Sequence, residues 1–156
     1  MREIEFRGWN EKNSKWIYGY YFVNRGEPFI VDDGIVTNPF MNADDFMVSG
    51  NTVGQYTGMK DSKGNKIYEG DIVQLTISNG TIRIFVVEWA EEDRKLIPLD
   101  GFEHDGNPVR ICGWCFNWNG FRLYPTVIDG IPDNEKMTIV GNIYDNPELL
   151  SDGSKE

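Results

Sequence analysis

Cysteine and histidine are almost missing from this sequence: Cys112, Cys115 and His104 are all that 156 residues provide. Two cysteines cannot build the disulfide framework of a small secreted domain, so stability has to come from packing. A long hydrophobic run is missing too. No window approaches the roughly 18 apolar residues of a membrane-spanning helix, and the opening Met1-Arg2-Glu3-Ile4-Glu5-Phe6-Arg7 lacks the apolar stretch of a secretion signal. A cytoplasmic location with no membrane contact is therefore expected. Basic residues are scarce, with 15 Lys and Arg against 25 Asp and Glu, net −10. Such a chain repels a phosphate backbone, which counts against direct nucleic-acid binding. Helical periodicity is also lacking, since no window of about a dozen residues keeps a sustained helical rhythm.

What is present is apolar and aromatic. The chain is 40% hydrophobic and holds nine Phe, seven Tyr and five Trp, enough to fill the interior of a single domain and to exclude wholesale disorder. Charge is unevenly spread: residues 1–26 carry +2, 27–57 carry −5, 58–89 are neutral and 90–156 carry −7. A solvated, solubilising surface is the plain reading of that acidity. The alternative is an acidic decoy that occupies the basic groove of a nucleic-acid-binding protein.

Short β-branched and aromatic runs, punctuated by Gly, Asn, Asp and Pro, predict an all-β or β-dominated fold with one or two short helices, its hairpins closed into a small barrel or stacked as packed sheets. The clearest hairpin joins 71–78 to 81–89 across Asn79-Gly80, read as a two-residue type I′ turn. In that register Ile77 faces Ile82, Leu75 faces Ile84 and Val73 faces Val86, giving one wholly aliphatic face. A second Asn-Gly, Asn119-Gly120, pairs Trp118 with Phe121 and Phe116 with Leu123. Trp114, Phe116, Trp118, Phe121 and Leu123 then share an aromatic face destined for the core, while Cys115, Asn117, Arg122 and Tyr124 point away.

Residues 14–23 read as a strand, and Phe29-Ile30-Val31 with Ile35-Val36 as a tight hairpin. Residues 38–48 and Pro147-Glu148-Leu149-Leu150 are expected to make helical turns, the second behind Asn146 as a cap. Residues 90–108 and 129–136 read as loops, residues 1–150 as one β-rich domain, and 151–156 as a flexible tail. There is no internal repeat.

The segment Thr57-Gly-Met-Lys-Asp-Ser-Lys-Gly-Asn-Lys-Ile-Tyr-Glu-Gly-Asp-Ile-Val73, the strand ending Val86 to Trp89, and Ile139-Val-Gly-Asn-Ile-Tyr-Asp-Asn-Pro-Glu-Leu-Leu150 resemble the YopX family of phage and prophage proteins, as does the opening Arg7-Gly8-Trp9. The resemblance implies a small β-rich protein of uncharacterised function working in the cytoplasm of a bacterial host; it carries over no catalytic residue. On the residues alone, Asp61 to Asn65 is a structural corner, with Gly64 free to take a positive φ.

Candidate chemistry is thin. Cys112-Gly113-Trp114-Cys115 has CxxC spacing, but a zinc site wants four ligands, and His104 is the only other soft donor. Residues three apart on a strand face opposite sides, and no βαβ setting supports a thioredoxin reading. His104 stands among Asp100, Glu103 and Asp105, which would suit a general base, without a placed nucleophile. The expected function is a non-catalytic binding module acting on a host or phage protein, with no cofactor and with self-association through a sheet edge open to it. A small enzyme or metal protein centred on His104, Cys112 and Cys115 is the alternative.

Overall fold

Antiparallel pairing organises nearly every element of the chain. The computed structural model describes residues 2–32, 42–95, 108–128 and 130–151. Its strands are β1 (Phe6–Asn10), β2 (Lys15–Asn24), β3 (Glu27–Val31), β4 (Gly54–Lys60), β5 (Lys66–Tyr68), β6 (Asp71–Thr76), β7 (Ile82–Arg94), β8 (Val109–Trp118), β9 (Phe121–Leu123), β10 (Val127–Ile128), β11 (Ile131–Pro132) and β12 (Met137–Asn142). One five-stranded sheet runs β3-β2-β1-β4-β5, a second runs β12-β6-β7-β8-β9, and β10 and β11 form a small ribbon. Of the two expected forms, this is packed sheets; the described residues close no barrel. Helical structure among them is limited to short 3-10 turns at Ala43–Asp45, Gly50–Thr52, Asp133–Lys136 and Pro147–Leu150. The last follows Asn146 as expected, but without a side-chain cap bond.

The core lies between the second sheet and the β4–β5 end of the first. Ile67, Val73, Phe85, Val87, Phe116 and Met137 are buried together, with Met59, Leu75, Trp118, Leu123 and Ile139 packed around them. The β8–β9 hairpin has the expected register, Phe116 opposite Leu123 and Trp118 opposite Phe121. Asn119 and Gly120 both take positive φ (49° and 85°), as a type I′ turn requires. Its aromatic face divides: Phe116 is fully buried, edge-on to Phe85 at 6.4 Å, while Phe121 at the turn is 62% exposed.

The β6–β7 hairpin corrects the expected register by one residue. Val73 pairs with Phe85 and Thr76 with Ile82. Within the turn only Gly80 takes a positive φ (85°); its N–H donates to the Ile77 carbonyl at 2.8 Å, and Ile77 faces Thr81 across a three-residue loop. The Asn79 side chain accepts the Thr81 N–H at 2.9 Å, which this loop allows. The shift puts Val73 and Leu75 on the same face as Phe85 and Val87, so a phenyl ring enters the core and Ile82 is left 56% exposed. The larger apolar area of the ring favours that choice.

Three further expectations change. β7 extends through residues 90–94, read above as loop, because they pair with 109–113 of β8. β3 pairs with β2, and its other edge is taken by residues 46–48: Ile30 N–H donates to Phe46 O at 2.9 Å and Val48 N–H to Pro28 O at 3.0 Å. Ile35 and Val36 lie outside the described residues, as do 38–41 of the segment read as helical, which retains one 3-10 turn at Ala43–Asp45. The ribbon β10–β11 and a 3-10 turn occupy most of 127–136.

The Asp61–Asn65 corner is structural as expected. The Asp61 carboxylate accepts the N–H groups of Lys63 (2.9 Å), Asn65 (2.8 Å) and Ile139 (3.2 Å), tying the corner to β12. Burial would raise its pKa, but these bonds outweigh burial and hold it below the usual carboxylate range.

Candidate docking surface

Of the residues singled out for chemistry, the two cysteines do not come together. His104 lies outside the described residues. Cys112 is exposed opposite Glu91, whereas Cys115, opposite Glu88, is fully buried, so the two thiols sit on opposite faces of β8. Burial, and then the neighbouring Glu88 carboxylate, push the Cys115 thiol up to about 11, which keeps it protonated and a poor nucleophile or ligand. Its surroundings form an ion-pair network: Glu88 Oε1 accepts from Asn117 Nδ2 and Arg122 Nε, each at 2.9 Å, and Arg122 reaches Glu92 at 3.6 Å. Among the described residues no group of three or more His, Cys, Asp and Glu is placed to hold a metal ion.

A second ionisable cluster went unremarked in the sequence. At the seam between the sheets Arg7 hydrogen-bonds Asp71, both side chains less than a tenth exposed, and donates to Glu69 O at 3.1 Å. Tyr68 N–H donates to the other Asp71 oxygen at 2.7 Å, and the guanidinium lies over the rings of Trp16 and Tyr68, 5.0 and 5.2 Å away. Burial pushes the Asp71 carboxyl up, opposed by the Arg7 charge. Alongside, the Tyr68 hydroxyl and Lys66 both donate to Glu5; burial, then the Glu5 bond, raise the Tyr68 pKa, and bonds to Glu3 and Glu5 raise that of Lys66. The C-terminal motif closes the same seam, where Trp16 Nε1 donates to Asp145 Oδ2 at 2.8 Å. With Arg7 and Asp71 sealed from solvent and bonded to each other, this cluster joins the two sheets.

The surface that stands out is the β2–β3 hairpin. β2 changes partner midway: Lys15–Gly19 pair with β1, and Tyr20–Asn24 with β3. Only glycine fits the changeover. Gly19 has φ +150°, and a Cβ there would lie 2.0 Å from the Val31 carbonyl oxygen. Before it, Trp16 is packed within 5.8 Å of both Trp9 and Tyr144, whereas Tyr18, 5.5 Å from Tyr68, is 46% exposed. Beyond it the exposure continues. Tyr20 (56% exposed) and Phe22 (44%) stand on one face, the latter stacked on Phe29 at 5.3 Å, and Val23 (56%) stands on the other beside the partly exposed Tyr21. The signal in the sequence was the unbroken run Tyr20-Tyr21-Phe22-Val23, because an antiparallel strand with one solvated face alternates with polar residues.

The family model described as YopX protein matches residues 5–151, nearly the whole chain, and the chain belongs to the YopX family. No curated protein matches it. A solved structure, that of protein EF1440 from Enterococcus faecalis, is similar at 17% sequence identity with a TM-score of 0.46, over 96% of this chain and 99% of that one.

Proposed function

We propose that this YopX-family chain is a non-catalytic binding module that docks a host or phage protein in the bacterial cytoplasm through its β2–β3 hairpin. One observation carries the reading: Tyr20, Phe22 and Val23, each more than two-fifths exposed, follow one another within four residues of a single hairpin and continue from the 46% exposed Tyr18. Tyrosine and phenylalanine exposed on a rigid strand lose little conformational freedom on binding and supply large contact area, which is why such rings anchor protein interfaces. The phage setting comes from the family resemblance, and no described helix is long and apolar enough to cross a membrane.

The test compares wild type with Tyr20→Ser/Phe22→Ser, both shown to be folded by circular dichroism. Each is tagged and used to capture proteins from uninfected and phage-infected bacterial lysates; the retained partner is then purified and its affinity measured by calorimetry. The double variant is expected to bind at least about tenfold more weakly. Equal affinity of the two proteins for the purified partner, or no partner from either lysate, overturns the reading.

A further inference from the structure

Beside the exposed hairpin, where the start of β3 meets residues 44–50, lies a groove of about 550 Å³. Its floor is apolar, made by Pro28, Met47 and Val48, with Met47 39% exposed. Gly50 leaves one end open; a Cβ there would meet only Pro28 Cγ, at 3.5 Å. The rim is acidic. Glu11, Glu27 and Asp44 line it, and the one cation among the lining residues, Lys12, is already paired with Asp45 at 2.9 Å. Glu11 is held in place by the Ser49 hydroxyl, which donates to Oε1 at 3.0 Å.

From this we infer that the groove takes a linear segment of the protein partner in which one aliphatic side chain is flanked by lysine or arginine. The aliphatic group fills the Pro28–Met47–Val48 floor and gains from leaving water. The flanking cations meet three carboxylates that no lining cation neutralises, and the chain's net −10 steers a basic segment towards them. A neutral or acidic segment of the same shape gains only the first term. This inference rests on the protein-binding reading above and narrows it to a basic partner.

The probe is a fluorescein-labelled peptide, acetyl-Lys-Lys-Leu-Lys-Lys-amide, titrated with the full chain at low salt while anisotropy is read. Saturable binding is expected, weakened by added salt, and at least about tenfold weaker for the versions with Gly in place of Leu or Glu in place of Lys. Glu27→Lys/Asp44→Lys and, separately, Gly50→Leu, which fills the groove without a backbone clash, are both expected to abolish it. No saturable binding overturns the inference. So does equal binding of the glycine peptide, which marks diffuse attraction to an acidic surface, or undiminished binding in both variants, which places the peptide elsewhere. If the peptide fails while Tyr20→Ser/Phe22→Ser still loses its partner, the groove falls and the docking hairpin stands; the reverse pattern removes the hairpin and keeps the groove.

Discussion

The β7–β8 pair and the β2–β3 hairpin are built from similar material, antiparallel strands dense in aromatic and β-branched side chains, yet the inner face of the first and the Tyr20–Val23 stretch of the second dispose of those side chains in opposite ways. Phe85, Val87 and Phe116 lie at or below 3% exposure because Ile67 and Met59 of the other sheet are laid over them. Tyr20 and Phe22 are 56% and 44% exposed, on the stretch where β2 has left β1 and pairs with β3. Burial is thus decided by which strand crosses above a residue, and hydrophobicity alone does not distinguish a core ring from an exposed one.

That contrast can be broken at three points. The largest effect is expected from Phe116→Ala, which should cost about 3–5 kcal/mol in urea unfolding, while Phe22→Ala on the exposed hairpin should cost no more than about 1 kcal/mol. Similar losses at the two sites would erase the distinction. The seam comes next. Arg7→Met leaves the Asp71 carboxylate buried without its partner and should cost about 3 kcal/mol or more, whereas Arg7→Met/Asp71→Asn should recover most of it. If the double variant is no better than the single one, the pair is not what joins the sheets. The smallest effect concerns the corner that anchors the buried half. Asp61→Asn turns an amide towards backbone donors and should cost about 1–3 kcal/mol at neutral pH. Because the Asp61 pKa is depressed in the folded chain, its contribution is present above the unfolded value of about 3.9 and lost as pH falls through the lower folded value. The deficit of Asp61→Asn should therefore shrink in unfolding measured at successively more acid pH, and a constant deficit would assign the loss to shape.

The sequence made the architecture legible where local chemistry admitted one answer. Asn119-Gly120 set its register because both residues accept the left-handed conformation, and the Asp61–Asn65 corner was readable from turn residues. Asn79-Gly80 misled because the same dipeptide also suits a three-residue loop, and the choice fell to whether Phe85 or Ile84 faced the core. Arg7 and Asp71 were invisible as a pair, being 64 positions apart and ordinary charged residues by composition. Of the candidate surface, the aromatic run of β2 was readable as a strand, but the change of partner at Gly19, which sits against the distant Val31 carbonyl, was not. The acidic groove needs Glu11, Glu27 and Asp44 brought together by three separate segments.

The changeover at Gly19 also has a mechanical meaning. A pull applied at the Arg25-Gly26 turn divides between the two strands: on the β2 side it passes beyond Gly19 into the β1–β2 ladder, and on the β3 side into residues 46–48, which are bonded to Pro28 and Ile30. Tension at the tip is thus shared between two anchors, and the hairpin is fastened to the body of the molecule along both of its strands.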